Sequence, residues 1–572
     1  MPTYYTPGVY IEEVNTGPRP IEAVQTAVAA FVGFAPAGPV GEATLITSWT
    51  QFVETFGARN ARTGQKDPFI ADAYLAHAVD GFFLNGGSRC YVVRVLPASF
   101  RQELTAPALA IHTAKARGEK REEPLLLISP KKATPPAEGP ARSPSADIHI
   151  ALERTAGTSP DDELWTVRLA QGEIREDYTH ISWKPAAPPA DDQAGAAPKG
   201  KKDAGAAGGA GNGGASRKPT TLEDLSNASR LVTIVLADKA GEDRIPATGL
   251  YHLDVPQPDL KVLATVAPSD IVGDPLAHTG VVGLELADDV TMVCCPDLMS
   301  PLAYPEGKVV AERVKIVQMA MINHCDAVGG RMALLDAPPK LKPQAMESWR
   351  LDPLRANHDS MHAALYYPWI NVANPRAGEK NEPATLTVPP CGHVAGIYAR
   401  NDSERGVHKA PANEVVRGAL GPALEVSNGE QAGLNQIGVN CIRSFRGRGV
   451  RVWGARTLTS DPAWRYINVR RLFNMVEKSI ERDTQWVVFE PNDPGLWSRV
   501  RRDVTAFLMT LWRDGMLFGN TPDEAFFVKC DEELNPPESR DLGRLIIEVG
   551  MAPVKPAEFV IFRFSQYSGG GQ

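Results

Sequence analysis

Polar and apolar positions alternate from the first residues, MPTYYTPGVYIEEV, where Val9 and Ile11 face one way and Tyr10 and Glu12 the other. Alternation of this kind predicts a half-buried strand, but residues 15–20 (NTGPRP) carry no hairpin signal that would fold a partner back on it. The strand therefore needs a partner farther along its own chain or on another subunit. AVAAFVGFAPAGP (27–39) predicts a buried strand, and TLITSW (44–49) a short strand entering a helix through Phe56. Ile70, Tyr74, Ala78 and Phe82 recur every four residues and predict a helix within 67–84, followed by the turn NGGS and the strand CYVVRVL. After about residue 100 the texture changes to short apolar runs (LLLIS, IHIALE, LWTVRLA) separated by Pro, Gly and charge, which predicts a β-rich module. Within it, residues 185–220 are almost wholly Ala, Gly, Pro and charge, too poor in apolar bulk to repay the entropy of ordering, and are expected to form a surface loop.

Strand–helix alternation returns downstream. VTMVCCP (290–296) reads as a strand, 309–328 as a helix, RMALLDAP as a strand, 343–358 as a helix and HAALYYPWINV as a strand, the order expected of parallel βαβ units. The module between is thus an insertion in a discontinuous α/β domain. Two amphipathic helices follow, one with the stripe Trp464, Ile467, Leu472, Met475, Val476 and Ile480, the other with Trp497, Val500, Val504, Phe507, Leu508 and Leu511. The terminal EFVIFRFSQ sets Val560, Phe562 and Phe564 on one face, a second strand without a hairpin partner.

Length and composition narrow the class. A chain of 572 residues is long enough for three to five domains, and 43% hydrophobic with 22% charged residues excludes a disordered or fibrous protein. The net charge of −8 excludes a globally basic, nucleic-acid-coating chain. Cys90, Cys294, Cys295, Cys325, Cys391, Cys441 and Cys530 are odd in number and contain no C-x-x-C pair, which suits reduced buried thiols rather than a disulfide or zinc framework. No signal peptide starts the sequence and no apolar run reaches the roughly 18 residues of a membrane span, so synthesis in the cytoplasm without a standard export signal or insertion into a membrane is expected.

Candidate chemistry is sparse. His358 and His362 stand at i, i+4 and would face one metal if the segment were helical, the basis of an alternative reading as a metal-dependent hydrolase. However, Asp359 replaces the glutamate of H-E-x-x-H, no third ligand is evident, and the following sequence reads as a strand. GAAPKGKK (195–202) misses the phosphate-loop pattern at Lys202, and Cys391 beside His393 in PPCGHVAG reads as a structural turn. Between Asn440 and Gly515 there are 14 Lys+Arg against 8 Asp+Glu, a local excess of +6 that leaves −14 for the rest. Such segregation marks either a solvated face or a docking surface for an acidic partner. The aromatic residues follow the apolar stripes, so no base-stacking platform is expected.

Several long motifs then occur in order: YTPGVYIEEV, FVGFAPAGP, GHVAGIYARNDSERGVHKAPANEVVRGALG, LNQIGVNCIRSF, GRGVRVWGARTLTSDPAWRYINVRRLFNMVEKSI, WVVFEPND, EAFFVKCDEE and EVGMAPVKPAEFVIFRFSQ. Together they resemble the contractile tail sheath proteins of phage tails, contractile bacteriocins and extracellular contractile injection systems. The resemblance spans the chain except for about 100–250. It implies a mixed α/β fold divided into an N-terminal arm (1–22), a discontinuous sheath domain (23–99 plus 251–380), an inserted outer domain (100–250), a C-terminal domain facing an inner tube (381–557) and a C-terminal strand arm (558–572). It further implies a non-enzymatic subunit with no cofactor or metal, assembled in many copies around an inner tube protein with baseplate and terminal cap proteins, and with no direct nucleic-acid contact. The terminal strands, at Val9, Tyr10, Ile11 and Glu12 and at Val560, Phe562 and Phe564, would complete sheets in neighbouring subunits. A helix of the C-terminal domain lines the lumen in related sheaths, so Arg499, Arg501, Arg502 and Arg513 become candidates to face an acidic tube. A single chain carrying both arms is closer to phage-like and extracellular systems than to split type VI sheaths. The particle is either a virion tail or an injection system, released or retained.

Overall fold

The computed structural model describes residues 20–59, 65–97, 109–112, 124–130, 148–156, 163–171, 174–182, 220–236, 249–253, 263–304, 307–378 and 382–563. The expected N-terminal strand, Phe564 and all of the 185–220 segment but Thr220 lie outside them. The chain divides into two units, one of 1–36, 40–96 and 260–572, the other of 37–39 and 97–259.

The larger unit is built on a nine-stranded sheet. Its strands are β1 (Ala29–Gly33), β2 (Thr44–Ile46), β3 (Cys90–Arg94), β4 (Met292–Cys294), β5 (Met332–Asp336), β6 (Ala363–Tyr367), β7 (Glu414–Val415), β8 (Val439–Phe445) and β9 (Gly449–Val452). The order is β7-β9-β8-β6-β5-β4-β1-β3-β2, parallel from β8 through β3 and antiparallel at both edges. Every residue of β1, β5 and β6 is buried, which explains their unbroken apolar runs: a central parallel strand is covered on both faces and has no solvent side to mark with polar residues. The sheet crosses residue 380 without a break, since β8 pairs in parallel with β6, so the boundary expected there between two domains does not interrupt the sheet.

The helices used below are α1 (Trp49–Phe56), α2 (Leu75–Leu84), α3 (Ala311–Val328), α4 (Pro343–Leu351), α5 (Cys391–Arg405), α6 (Ile467–Asp483) and α7 (Pro494–Arg513). The backbones of α2 and α5 run close together because α5 carries glycine at the contact: a Cβ on Gly392 would lie 2.2 Å from the Ala78 carbonyl oxygen, and one on Gly396 2.5 Å from that of Phe82. Buried carboxylates pin these helices. Asp297 accepts the Phe34 N–H at 2.6 Å and that of Tyr74, and Asp336 accepts the Cys391 N–H at 3.0 Å at the start of α5.

Local chemistry moves several expected boundaries. The helix expected within 67–84 starts only at Leu75, because Asp67 accepts the Phe69 N–H and Asp72 lies at φ +60°. The helix expected over 343–358 stops at Leu351, where Pro353 disfavours helical backbone at Asp352 and the Asp352 carboxylate takes the Leu354 N–H. HAALYYPWINV is two strands rather than one. Pro368 supplies no N–H, and Ile370–Ala373 joins a separate three-stranded sheet. The turn expected at Cys391–His393 is the first turn of α5, wholly buried.

In the smaller unit a five-stranded and a three-stranded sheet close over one core containing Trp165, Ile150, Val167, Ile181, Leu126 and Ile234. In the strand Ile148–Ala156, Ile148, Ile150 and Leu152 are buried while His149 and Glu153 are exposed, as in an antiparallel sheet with one wet face.

Candidate assembly surfaces

Residues 21–28 form a strap along α6. Ile21 joins the core of the C-terminal helices, the Glu22 N–H donates to Asp483 at 2.8 Å, and the Val24 N–H donates to Ser479 Oγ at 3.0 Å. At its end Arg471 grips Asp402 with both terminal nitrogens, 2.8 and 2.5 Å, and donates to the Thr26 carbonyl at 2.8 Å. The strap is thereby anchored before β1 begins.

The C-terminal segment has its own root. Glu558 accepts from Arg456 Nε at 2.9 Å and Nη2 at 2.6 Å, from Asn435 at 2.7 Å and from the Tyr466 hydroxyl at 3.0 Å. Burial alone would raise the Glu558 pKa, but the Arg456 and Asn435 hydrogen bonds outweigh it and hold it below the ordinary glutamate value. The chain is exposed immediately beyond, with Phe559, Val560, Ile561 and Phe562 all 69–77% accessible. Nearby, Phe526–Lys529 pairs only with Glu548–Met551 among the described residues, a two-stranded sheet of marginal stability by itself.

α7 buries Leu496, Trp497, Val500, Val504, Phe507, Leu508 and Leu511 and leaves Arg499, Arg501, Arg502 and Arg513 exposed. Asp493 caps its first turn by accepting the Leu496 N–H at 2.7 Å. Arg499 meets Glu490 at 3.4 Å and lies 5.4 Å over the Trp486 ring, and Arg502 meets Asp503 at 3.1 Å. These contacts are solvent-exposed and weak, so the guanidinium groups remain available to a partner.

His358 and His362 do not share a helix face. Arg350 draws the Ala356 and His358 carbonyls to itself at 2.8 and 2.9 Å, which holds 352–362 in irregular backbone. His362 Nδ1 lies 3.3 Å from the Arg331 carbonyl, and burial pushes the His358 pKa down to about 4. Among the described residues no group of three His, Cys, Asp or Glu side chains could hold a metal ion, and no helix is long and apolar enough to cross a membrane. The metal-hydrolase alternative has no geometric support. A cleft of about 630 Å³ beside the strap is lined by Arg89, Arg331 and Lys478, but these are engaged by Asp289 at 2.9 Å, by the Leu284 and Ala287 carbonyls, and by Glu481 at 3.1 Å.

Sequence reasoning missed the Glu558 clamp and the strap, since both depend on contacts between residues at least 92 positions apart. A charged residue directly before an apolar terminal run was the one visible sign of the former.

Residues 311–458 match the phage tail sheath protein central domain and residues 459–566 the phage tail sheath C-terminal domain. The tail sheath protein of Vibrio phage KVP40 is 26% identical over 302 residues, 49% of this chain and 44% of its own, so this chain spans less than half the length of that relative. The tail sheath protein of Burkholderia phage BcepMu is 23% identical over 572 residues, covering 98% of this chain and 96% of its own. In fold, the chain is similar to the contracted helical sheath of the anti-feeding prophage, with a TM-score of 0.52 at 24% identity over 99% of this chain and 100% of that one.

Proposed function

The chain belongs to the contractile tail sheath family, and from that premise we propose that it is the structural subunit of a contractile sheath that polymerises helically around an inner tube. Contraction of such a sheath drives the tube through a target envelope. The subunit needs no catalytic group for this. Free energy stored in the extended lattice is released as subunits rotate as rigid bodies into better contacts, a bistable interface change. Baseplate and terminal cap proteins complete the particle, which assembles in the bacterial cytoplasm and is then released or retained. Capsid genes beside this one would make it a virion tail, and their absence beside tube and baseplate genes an injection system.

The observation that carries the proposal is the root of the C-terminal arm. A clamp fixes Glu558, and the apolar side chains of Phe559, Val560 and Ile561 directly beyond it are 69–77% exposed. Strand addition to a neighbour would bury them and supply main-chain hydrogen bonds across the interface. The two-stranded sheet Phe526–Lys529/Glu548–Met551 is the acceptor we favour, because a third and fourth strand would complete it. Val9–Glu12 of the N-terminal arm would serve in the same way.

Truncation after Ala557, in the full set of neighbouring particle genes, tests this. The truncated chain should fold with an unchanged spectrum and fail to build sheaths visible by electron microscopy. Sheaths that assemble and contract intact without residues 558–572 would sink it.

A further inference from the structure

The hairpin of β8 and β9 carries positive charge that its own subunit leaves whole. Residues 443–451, RSFRGRGVR, hold four arginines and no acidic residue, and Gly447 and Gly449 take the left-handed backbone of the turn at φ +72° and +75°. Arg443 and Arg451 stand directly opposite each other across the pair, a placement of like charges that weakens a hairpin left to itself. Among the described residues these guanidinium groups are held by neutral partners. Arg443 donates to the Asn428 and Gln431 side-chain oxygens at 2.7 and 2.6 Å, Arg451 to the Asn413 carbonyl at 2.6 Å, and Arg448 to Asn413 Oδ1 at 3.1 Å. Arg448 also lies 5.7 Å over the Phe445 ring and 5.9 Å over that of Trp453. Amides and ring faces fix a guanidinium without cancelling its charge, and Glu414 on the adjoining β7 is taken by Lys409 at 2.6 Å. Arg446 is exposed at the tip.

The opposite charge gathers elsewhere on the same unit. Residues 529–548 hold six acidic residues against three basic ones. Glu533 meets Lys529 at 2.5 Å, and Asp531 and Glu548 add to it in holding the lysine pKa above its ordinary value, so three carboxylates share one ammonium. Glu532 and Glu538 are exposed and form no ion pair among the described residues. These acids rim the end of the sheet Phe526–Lys529/Glu548–Met551, the sheet expected to receive a neighbour's arm. The arginine hairpin stands at the other end of that joint. Asn435 and Arg456, which clamp Glu558, flank the hairpin just before β8 and just after β9. Gln431, from the same helix as Asn435 (Asn428–Gln436), holds both Arg443 and the Trp453 carbonyl. The arm thus leaves from the base of the hairpin.

We propose that the arginine hairpin of one copy docks on the acidic rim of the next, the copy whose sheet receives its C-terminal arm, an inference that rests on the strand-addition reading of that arm. The arm selects the occupant. From Glu558 to Phe562 an extended chain spans about 13 Å, so a copy that seats its arm in the neighbour's sheet brings the base of its hairpin within reach of the acids at that sheet's end. Two hairpins meeting would repel, which excludes a symmetric contact through this face. A hairpin and a rim on different faces make a head-to-tail contact, which repeats from copy to copy and grows an open helix rather than a closed pair.

The test uses full-length chains expressed with all neighbouring particle genes. Arg446→Glu with Arg448→Glu should leave the subunit's melting temperature in place and lower the sheath recovered by sedimentation about tenfold. Adding Glu532→Arg and Glu548→Arg to the same chain returns opposite signs to the contact and should restore most of the yield. Unchanged yield in the first variant, or no restoration in the second, overturns the docking. Photo-crosslinkable p-benzoylphenylalanine in place of Arg446, in sheaths mixing isotope-labelled and unlabelled copies, reads the contact without reversing any charge. It should join residues 529–548 of a different copy. A crosslink to an acidic non-sheath chain, or none between copies, overturns the proposal. The same probe in place of Val560 separates it from the arm reading. If position 560 crosslinks away from the two-stranded sheet while position 446 still reaches the rim, strand addition fails and the hairpin contact stands; the reverse result leaves the arm alone.

Discussion

Two arginine–carboxylate joints in this molecule use the same chemistry and end differently. Arg471 and Asp402 are 5% and 6% exposed, with Tyr398 stacked 4.6 Å beneath the guanidinium and the strap returning to both partners through Thr26. Arg456 and Glu558 are also joined at two points, but are 12% and 20% exposed, and the chain beyond them runs into solvent. The first joint is closed on every side by its own chain. Among the described residues the second is open on its far side, where Phe559, Val560 and Ile561 are exposed.

Breaking the closed joint should have the largest effect on stability. Asp402→Ala leaves Arg471 buried without its counter-ion, which costs about 3–5 kcal/mol in comparable sites. Chemical denaturation reads it as a lower midpoint at unchanged slope. A loss under about 1 kcal/mol would remove the distinction between the joints.

Acid should separate the two regions next. Burial pushes the pKa of His77, His324, His358 and His393 down to about 4, so between pH 6.5 and 4 the unfolded chain binds protons that the folded one refuses, and their contribution to stability falls as pH falls. Burial raises Asp297 and Asp336 to about 7, which has the opposite sign: their ionisation weakens the fold as pH rises from 4 to 7. Four histidines outweigh two aspartates, so stability should drop from pH 7 to 5 by a net amount of order 1–3 kcal/mol. Asp297→Asn removes one opposing group and should steepen that drop in a series of thermal melts. The Glu558 clamp, whose pKa lies below the ordinary value, keeps its charge throughout this window and loses its contribution only in stronger acid.

How much of this was legible follows from where the information lies. The central strands announce themselves by continuous apolar runs, and α6 and α7 by period, because each helix buries a local stripe, as Val500, Val504 and Leu511 do. Helix ends at Asp67 and Asp352 were misplaced because a single carboxylate–backbone bond outweighed the apolar period. His358 and His362 kept their i, i+4 spacing but lost the helix to Arg350, whose hydrogen bonds no local pattern encodes. The clamp on Glu558 assembles Asn435, Arg456 and Tyr466 from separate elements and becomes visible only when the chain is folded.

Opening the second joint should cost less than either perturbation above. Glu558→Ala removes a half-screened bidentate pair and should destabilise the subunit by about 1–2 kcal/mol. Its effect on assembly should be out of proportion, since the arm loses its fixed departure point. A subunit equally stable and equally competent in sheath formation would show that the clamp does not aim the arm.

The smallest effect on the isolated subunit should come from the basic face of α7. Arg499 and Arg502 are solvent-exposed and pair with Glu490 and Asp503 at 3.4 and 3.1 Å, contacts worth about 0–1 kcal/mol each. Reversal to Glu at both positions should therefore move the unfolding free energy by no more than about 0.5–1 kcal/mol. Placing acid near the N-terminal half of α7 even complements the helix dipole in part. Docking onto an acidic tube should respond very differently, because each reversal converts an attraction into a repulsion across the interface. Sheath formation around the tube should fail at low salt and recover partly as salt screens the new repulsion. A reversed variant that assembles around the tube normally, with no salt dependence, would place these arginines away from the lumen and return the local charge excess to an ordinary solvated face.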